Sequence, residues 1–322
     1  MSRVCLITTV FQEAHGIAEF MDSILAQTRK PDRVVVADGG SSDGTVDIVR
    51  AYEGRLPLTV IVIQGANRSR GRNAAIEACD EPVIACADAG CTLDPKWLET
   101  VTQPLMEQAD VDVVAGYYEP APRTPFERAS AAALVPRAAE VDPATFLPSS
   151  RSIAFRRAAW ERVRGYPEWT PFNEDTVFDV ALRRAGCTFV FEAYAVVRWR
   201  PQGAPARIFR QFFRYARGDA LAGLWFGHYG KAYVEFVIAG GVLGLARAAS
   251  PAWLWAFAPL AGLYWLRVAG RARRRGAGIA AAALAPVAMA VVDGAHVCGF
   301  TIGILNRLLL AVRGRAPRIG SD

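Results

Sequence analysis

Along the first 120 residues, short apolar runs alternate with stretches whose apolar residues recur at helical spacing. Val4 to Val10, Arg33 to Ala37, Leu58 to Ile63, Pro82 to Ala87 and Val111 to Tyr117 are the runs, and their β-branched content predicts five strands. Between them, Ala14 to Gln27 places Ile17, Phe20, Met21, Ile24 and Leu25 on a helix. A second helix, capped by Ser42 or Asp43, carries Val46, Ile48 and Val49. Arg70 to Cys79 is a third, and Pro95 opens a fourth through Trp97, Leu98, Val101 and Leu105. Strands spaced by single helices predict an α/β domain with a doubly wound, mostly parallel sheet. Further on, Ser149 to Arg157 is a strand with polar ends, Arg164 to Glu168 is a turn, and Val177 to Leu182 lies in a helix ending at Gly186.

From residue 201 the pattern changes. Ala206 to Asp219 has arginines at 207, 210, 214 and 217, spaced as one stripe of a helix, with Phe209, Phe212, Phe213 and Tyr215 covering much of the rest. Beyond it come an apolar segment from Tyr233 to Ala246, another from Ala252 to Val268, a basic loop at Arg267 to Arg275, and Gly276 to Val312, whose only charges are Asp293 and Arg307. Asp293-Gly294 is a turn signal. These features predict two membrane hairpins, about 228–246 with 251–268 and 277–292 with 295–312. The positive-inside rule sets the arginine loop and the Arg313, Arg315, Arg318 tail on the cytoplasmic side. Asp293 and His296, one helical turn apart, suit hairpin capping or a polar headgroup; His15 and His228 have no partner in the pattern.

Charge supports that division. From residue 201 onward there are 15 Lys/Arg against 4 Asp/Glu, which leaves 22 against 27 before it. The excess positive charge therefore belongs to the apolar part, as expected beside an anionic membrane face. No basic stripe runs through the soluble part, which excludes nucleic acid as the partner. The six cysteines form no CxxC pair and most sit in or beside apolar runs, so buried reduced thiols in a reducing compartment are expected. The apolar run at Val4 to Val10 is too short for a signal-peptide core.

Two strands end on acids: Val34-Val35-Val36-Ala37 on Asp38, before a Gly-Gly-Ser-Ser turn, and Val83-Ile84-Ala85-Cys86-Ala87 on Asp88. Parallel strands deliver such residues to the carboxyl edge of the sheet, where ligands of α/β proteins bind. Asn67-Arg68-Ser69-Arg70-Gly71-Arg72-Asn73 adds a cationic loop entering a helix. A nucleoside diphosphate fits this set: one carboxylate for base or ribose, another for a divalent cation, arginines for the remaining charge. Asp43 reads as a turn or cap residue. Glu174 and Asp175 open the later helix, where Asp175 can either cap it or act as a general base toward an acceptor hydroxyl.

In motif order, this sequence resembles family 2 glycosyltransferases, whose catalytic domain has the GT-A fold. The resemblance covers about residues 3 to 220. It rests on Thr9-Val10-Phe11-Gln12-Glu13, Ala37-Asp38-Gly39-Gly40-Ser41-Ser42-Asp43-Gly44-Thr45, Gly71-Arg72-Asn73 and the pair Glu174-Asp175. It implies a nucleotide-sugar donor, with Asp38 on the nucleobase, Thr9, Phe11 and Glu13 lining its pocket, and Arg72 near the diphosphate or sugar. It further implies Asp175 as base with Glu174 positioning, and inversion at the anomeric carbon. Asp88-Ala89-Gly90 stands where the family has Asp-x-Asp. Asp88 is then the metal residue for Mg²⁺ or Mn²⁺, while Gly90 replaces the second acid. Gln211-Phe212-Phe213-Arg214-Tyr215 resembles the Gln-x-x-Arg-Trp motif of processive members, which implies donor contacts for Gln211 and Arg214; an interfacial helix is the other reading.

The expected organisation is a GT-A domain over 1–203 (nucleotide-sugar half to about 120, acceptor half beyond), an amphipathic interface helix over 204–226, and membrane helices over 227–322. The expected protein is a multi-pass membrane glycosyltransferase with a cytoplasmic catalytic domain and a lipid or glycolipid acceptor. A polysaccharide synthase subunit and a non-catalytic sugar-nucleotide-binding scaffold are the alternatives.

Overall fold

The computed structural model describes residues 2–315 and 319. Its chain divides into two compact units: the first holds the chain up to Ala121, Ala138–Arg200 and residue 319, and the second holds Pro122–Arg137 and the described residues from 201 to 315.

The first unit is built on β1 (Val4–Val10), α1 (Ile17–Leu25), β2 (Arg33–Asp38), α2 (Thr45–Arg50), β3 (Leu58–Val62), α3 (Arg68–Glu77), β4 (Val83–Cys86), β5 (Cys91–Leu93), α4 (Trp97–Glu107) and β6 (Val113–Pro120). After a segment belonging to the second unit come β7 (Ile153–Arg156), α6 (Arg157–Arg162), α7 (Glu174–Arg184) and β8 (Phe189–Trp199), the segment being α5 (Pro125–Leu134). One eight-stranded sheet results, in the order β3-β2-β1-β4-β7-β6-β8-β5. The β3-β2-β1-β4 portion and the β6–β8 pair are parallel. The β4–β7, β6–β7 and β5–β8 pairings are antiparallel, so the far side of the sheet is mixed. The predicted strand at Val111 begins at Val113, and the one at Pro82 spans Val83–Cys86.

Both sheet faces are covered, which is why β1 and β2 are apolar without alternation. Val4, Leu6, Val34 and Val36 join Ile17, Phe20, Trp97 and Leu98 on one face. Ile7 and Val35 join Ile76, Phe155, Tyr166 and Phe178 on the other. On that second face the expectation of reduced thiols fails for one pair: Cys5 and Cys79 form a disulfide, their Cα atoms 6.3 Å apart, within the span a disulfide bridges. The end of α3 lies over β1, so two cysteines 74 residues apart in sequence become neighbours. Cys86, Cys91 and Cys187 are free and buried, while Cys298 is free and exposed.

In the second unit α5 is joined by α8 (Pro205–Ala222), α9 (Phe226–Ala248), α10 (Leu254–Arg274) and α11 (Ile279–Val312). Ala129 and Ala133 of α5 pack with Val268, Ala272, Ala281, Ala282 and Ala285 in an alanine-rich seam. Small residues also set the crossing of α8 and α11. A Cβ on Gly299 would stand 2.3 Å from the Phe213 carbonyl oxygen, and one on Gly303 would stand 2.6 Å from that of Arg217. This is the close backbone approach of a small-xxx-small pair.

The second predicted hairpin is overturned. Residues 277–292 and 295–312 do not fold back at Asp293-Gly294; a single helix, α11, runs through both. Asp293 does not mark a turn because its carboxylate is satisfied inside the bundle, accepting a 2.9 Å hydrogen bond from Tyr264 Oη of α10. Nor do four spans result. Among the described residues α11 alone is long and apolar enough to cross a membrane, and 39% of its most apolar window is buried in the protein.

Candidate active site

Strand order gathers the predicted donor residues. β1 lies between β2 and β4, so the loops leaving the carboxyl ends of all three strands open on one edge, the position where open α/β sheets bind ligands. Asp38 ends β2 in register with Val10 of β1. Its Oδ1 accepts the Gly40 and Ser41 amides, both at 2.7 Å. Its Oδ2 is buried and has no hydrogen-bond partner among the described residues. An unpaired buried carboxylate oxygen is costly, and a ligand N–H or O–H donor would satisfy it.

The loop after β1 is tied to the Gly/Ser turn after β2. Gln12 N–H donates to Ser41 Oγ at 2.8 Å, and Glu13 N–H donates to Thr45 Oγ1 at 2.9 Å. Phe11, 59% exposed, leans over Gly39, where an added Cβ would sit 3.4 Å from its Cδ2. Thr9 packs against Gly71, and a Cβ there would meet the Thr9 methyl at 2.9 Å. Asp43 is the turn residue it was expected to be, accepting from Thr45 N, Thr45 Oγ1 and Ala14 N.

Arg72 is the hub. It is 1% exposed; its Nη2 meets Asp88 Oδ1 at 2.9 Å and its Nη1 meets Glu174 Oε1 at 2.8 Å. The Tyr166 ring stacks against its guanidinium at 5.2 Å. One side chain thus joins the carboxylate beyond β4 to the acidic pair opening α7. Burial works against the charge on Asp88, but Arg72, Arg151 and Arg68 outweigh it and hold the carboxyl below its ordinary range. Burial, and then the charge of Asp88, push Glu13 above its ordinary value. Burial also pushes the neighbouring Cys86 thiol up to about 12, which leaves it protonated and excludes a thiolate nucleophile.

Asp175 does not cap α7; Asn173 occupies the N-cap, in a left-handed conformation with no side-chain cap bond. The Asp175 carboxylate takes the Thr176 amide on Oδ1 at 2.9 Å and the Ser149 hydroxyl on Oδ2 at 3.2 Å. One turn along α7, burial and then the charge of Asp175 push the Asp179 carboxyl well above its ordinary range.

The family model for Glycosyl transferase family 2 matches residues 5–165, which take in Asp38, Arg72 and Asp88. The chain belongs to glycosyl transferase family 2. As a family 2 member it resembles Glycosyltransferase AglE of Haloferax volcanii, 29% identical over 36% of this chain and 39% of the relative. It also resembles the O-antigen chain rhamnosyltransferase RfbN of Salmonella typhimurium, 25% identical over 66% of this chain and 70% of the relative. The match spans less than half the length of AglE, and 24% of a Streptomyces hygroscopicus validoxylamine A glucosyltransferase. The mannosyltransferase PcManGT of Pyrobaculum calidifontis, solved with GDP-Man and Mn²⁺, shares the fold. Its TM-score is 0.63 at 18% identity, over 91% of this chain and 88% of that one.

Of the residues singled out from sequence, Thr9, Phe11, Glu13, Asp38, Arg72, Asp88, Glu174 and Asp175 all lie in the first unit, while Gln211 and Arg214 lie on α8 of the second. Gln211 Nε2 donates to Tyr215 Oη at 2.9 Å. The oxygen donors suit a hard divalent cation: Asp88 is partly exposed at the sheet edge, its charge reaches the Glu13 carboxyl, and a side chain on Gly90 would extend into open space.

Two features escaped the sequence reading. Asn73 of the Gly-Arg-Asn motif is a structural clamp. Its Nδ2 donates to Tyr166 O at 2.9 Å and Glu168 Oε1 at 3.0 Å, and its Oδ1 accepts from Tyr166 N at 2.8 Å and Trp160 Nε1 at 3.1 Å. The turn it clamps needs Gly165, whose φ is +87° and where a Cβ would fall 2.7 Å from Asn73 Oδ1. The other is the polar run Ser149-Ser150-Arg151-Ser152 before β7, read only as a strand end.

Proposed function

We propose that this family 2 member moves a sugar from a nucleotide-sugar donor to a lipid-linked or membrane-proximal acceptor, inverting the anomeric carbon. The observation that carries the reading is the Arg72 bridge, which sets the donor-edge Asp88 beside the Glu174-Asp175 pair through two short ion pairs. Asp38 would hold the nucleobase with its unsatisfied Oδ2, with Phe11, Thr9 and Glu13 around it. Asp175 accepts the proton of the acceptor hydroxyl as that oxygen bonds to the anomeric carbon. The bond from that carbon to the donor phosphate breaks, and the nucleoside diphosphate leaves. Glu174 and Arg72 fix the base, and the Arg72 charge offsets the negative charge gathering at the phosphate. Asp88, with Glu13 near it, would hold Mg²⁺ or Mn²⁺, and the ion would neutralise the diphosphate.

A lipid acceptor is supported by the second unit. Trp255, Leu263 and Leu266 on α10 and Leu308, Leu309 and Val312 on α11 are exposed apolar side chains. Soluble proteins rarely leave so many uncovered. Arg267, Arg271, Arg273, Arg274 and Arg275 crowd the end of α10, matching an anionic cytoplasmic surface. The test incubates membranes holding the protein with a panel of radiolabelled nucleotide sugars, then extracts lipid and counts both phases. Label in the lipid phase that depends on Asp175 is expected. Absence of both transfer and nucleotide release across the panel would overturn the reading.

A further inference from the structure

Arg151 is 22% exposed at its side chain and is held on several sides. Its guanidinium lies against the rings of Tyr118 on β6, at 5.6 Å, and Trp199 on β8, at 5.2 Å. Its Nε faces Asp88 Oδ2 at 4.0 Å. Its Nη1 donates to Ser149 Oγ at 3.0 Å, and its backbone N–H approaches the same oxygen at 3.4 Å. Ser149 Oγ in turn donates to Asp175 Oδ2 at 3.2 Å.

The direction of these bonds follows from chemistry. A guanidinium has donors and no acceptor, and a hydroxyl has one proton and two lone pairs. With Arg151 donating to the Ser149 oxygen from side chain and backbone, its lone pairs are engaged and its single proton is committed to Asp175. The Asp175 carboxylate is therefore held at both oxygens, by Thr176 N–H and by an oriented hydroxyl.

Resting on the proposed transfer reaction, we infer that Arg151 is a positioning residue that aims the base Asp175 through Ser149 while bracing Asp88, so that donor edge and acceptor base keep a fixed spacing. Lysine keeps the charge but not the planar fork that stacks between two rings and reaches two oxygens at once.

The test is a double-variant cycle on donor turnover with R151K, S149A and the pair, each checked for an unchanged thermal midpoint. R151M is added should either prove unstable. Nucleotide affinity is measured separately by calorimetry. R151K is expected to lower kcat about 10- to 100-fold while acceptor KM and nucleotide Kd stay within about threefold. S149A is expected to lower kcat about tenfold. The pair should be no slower than R151K alone, since both break one chain of bonds. A wild-type kcat in R151K, or losses that multiply in the pair, overturns the assignment. A parallel fall in affinity and thermal midpoint without a kcat effect overturns it as well. Wild-type protein that turns over no donor sinks the transfer reading itself, and this inference with it.

Discussion

Replacing Arg72 by methionine tests the bridge on which the site depends. Arg72 is 1% exposed and ends two ion pairs of 2.8 and 2.9 Å. Methionine keeps most of the stem volume, so the loss is electrostatic rather than a cavity. The two acids respond differently: the Asp88 side chain is 31% exposed and can take water, whereas that of Glu174 is 6% exposed and cannot. Most of the cost is thus one uncompensated buried carboxylate, about 3–5 kcal/mol. With a denaturant slope of about 2 kcal/mol/M, this moves the urea midpoint down by about 2 M. The assay is urea unfolding followed by far-UV circular dichroism. The decisive variant adds E174Q to R72M, which removes the stranded charge and should recover at least about 1.5 kcal/mol. A midpoint shift below about 0.3 M in R72M, or a double variant no more stable than R72M, would refute the argument that Glu174 is charged and held by this one guanidinium.

Other expectations follow from the same geometry. D38N keeps the oxygen that accepts the Gly40 and Ser41 amides but replaces the unpartnered one by an amide; nucleotide affinity by calorimetry should fall about tenfold or more with the thermal midpoint little changed. D175N should lower kcat about 10²- to 10⁴-fold while leaving nucleotide affinity within about threefold. Because the Asp88 carboxyl is held below its ordinary range, it contributes stability at neutral pH that is lost as pH falls through its folded-state value. The stability gap between wild type and D88N should therefore be constant at neutral pH and shrink as pH falls below the ordinary carboxylate value of about 4, read by urea unfolding at each pH. G299L inserts a side chain where a Cβ alone meets the Phe213 backbone; a loss of about 1–3 kcal/mol or more, seen as a lowered thermal midpoint in detergent, is expected.

What the sequence made legible was local. The run ending at Asp38 is recognisable because a buried strand must be apolar and a turn after it must hold Gly and Ser. The same reasoning found Asp88, and helix spacing found α1, α4 and α8. What it missed depends on partners far along the chain. Asn73 owes its role to Tyr166, 93 residues away. Cys5 meets Cys79 only once α3 has crossed the sheet, and Arg151 gains meaning from Tyr118, Trp199 and Asp88. Asp293-Gly294 has the composition of a turn, and only the Tyr264 hydroxyl on another helix makes a buried aspartate acceptable there. Local pattern also split 277–312 into two spans where α11 is one helix; α9 carries Lys231 and Glu235, and the last turns of α10 carry arginines.

The path of the chain has a practical outcome for anyone preparing a shortened protein. Because Pro122–Arg137 belongs with the C-terminal helices, a stop codon after Arg200 would not release a self-sufficient enzyme core. It would leave α5 tethered between β6 and β7 with Ala129 and Ala133 stripped of the alanines of α10 and α11 they rest on. A sound deletion would also excise 122–137 and splice Ala121 to Ala138 with a short linker, or else repaint those alanines with polar residues.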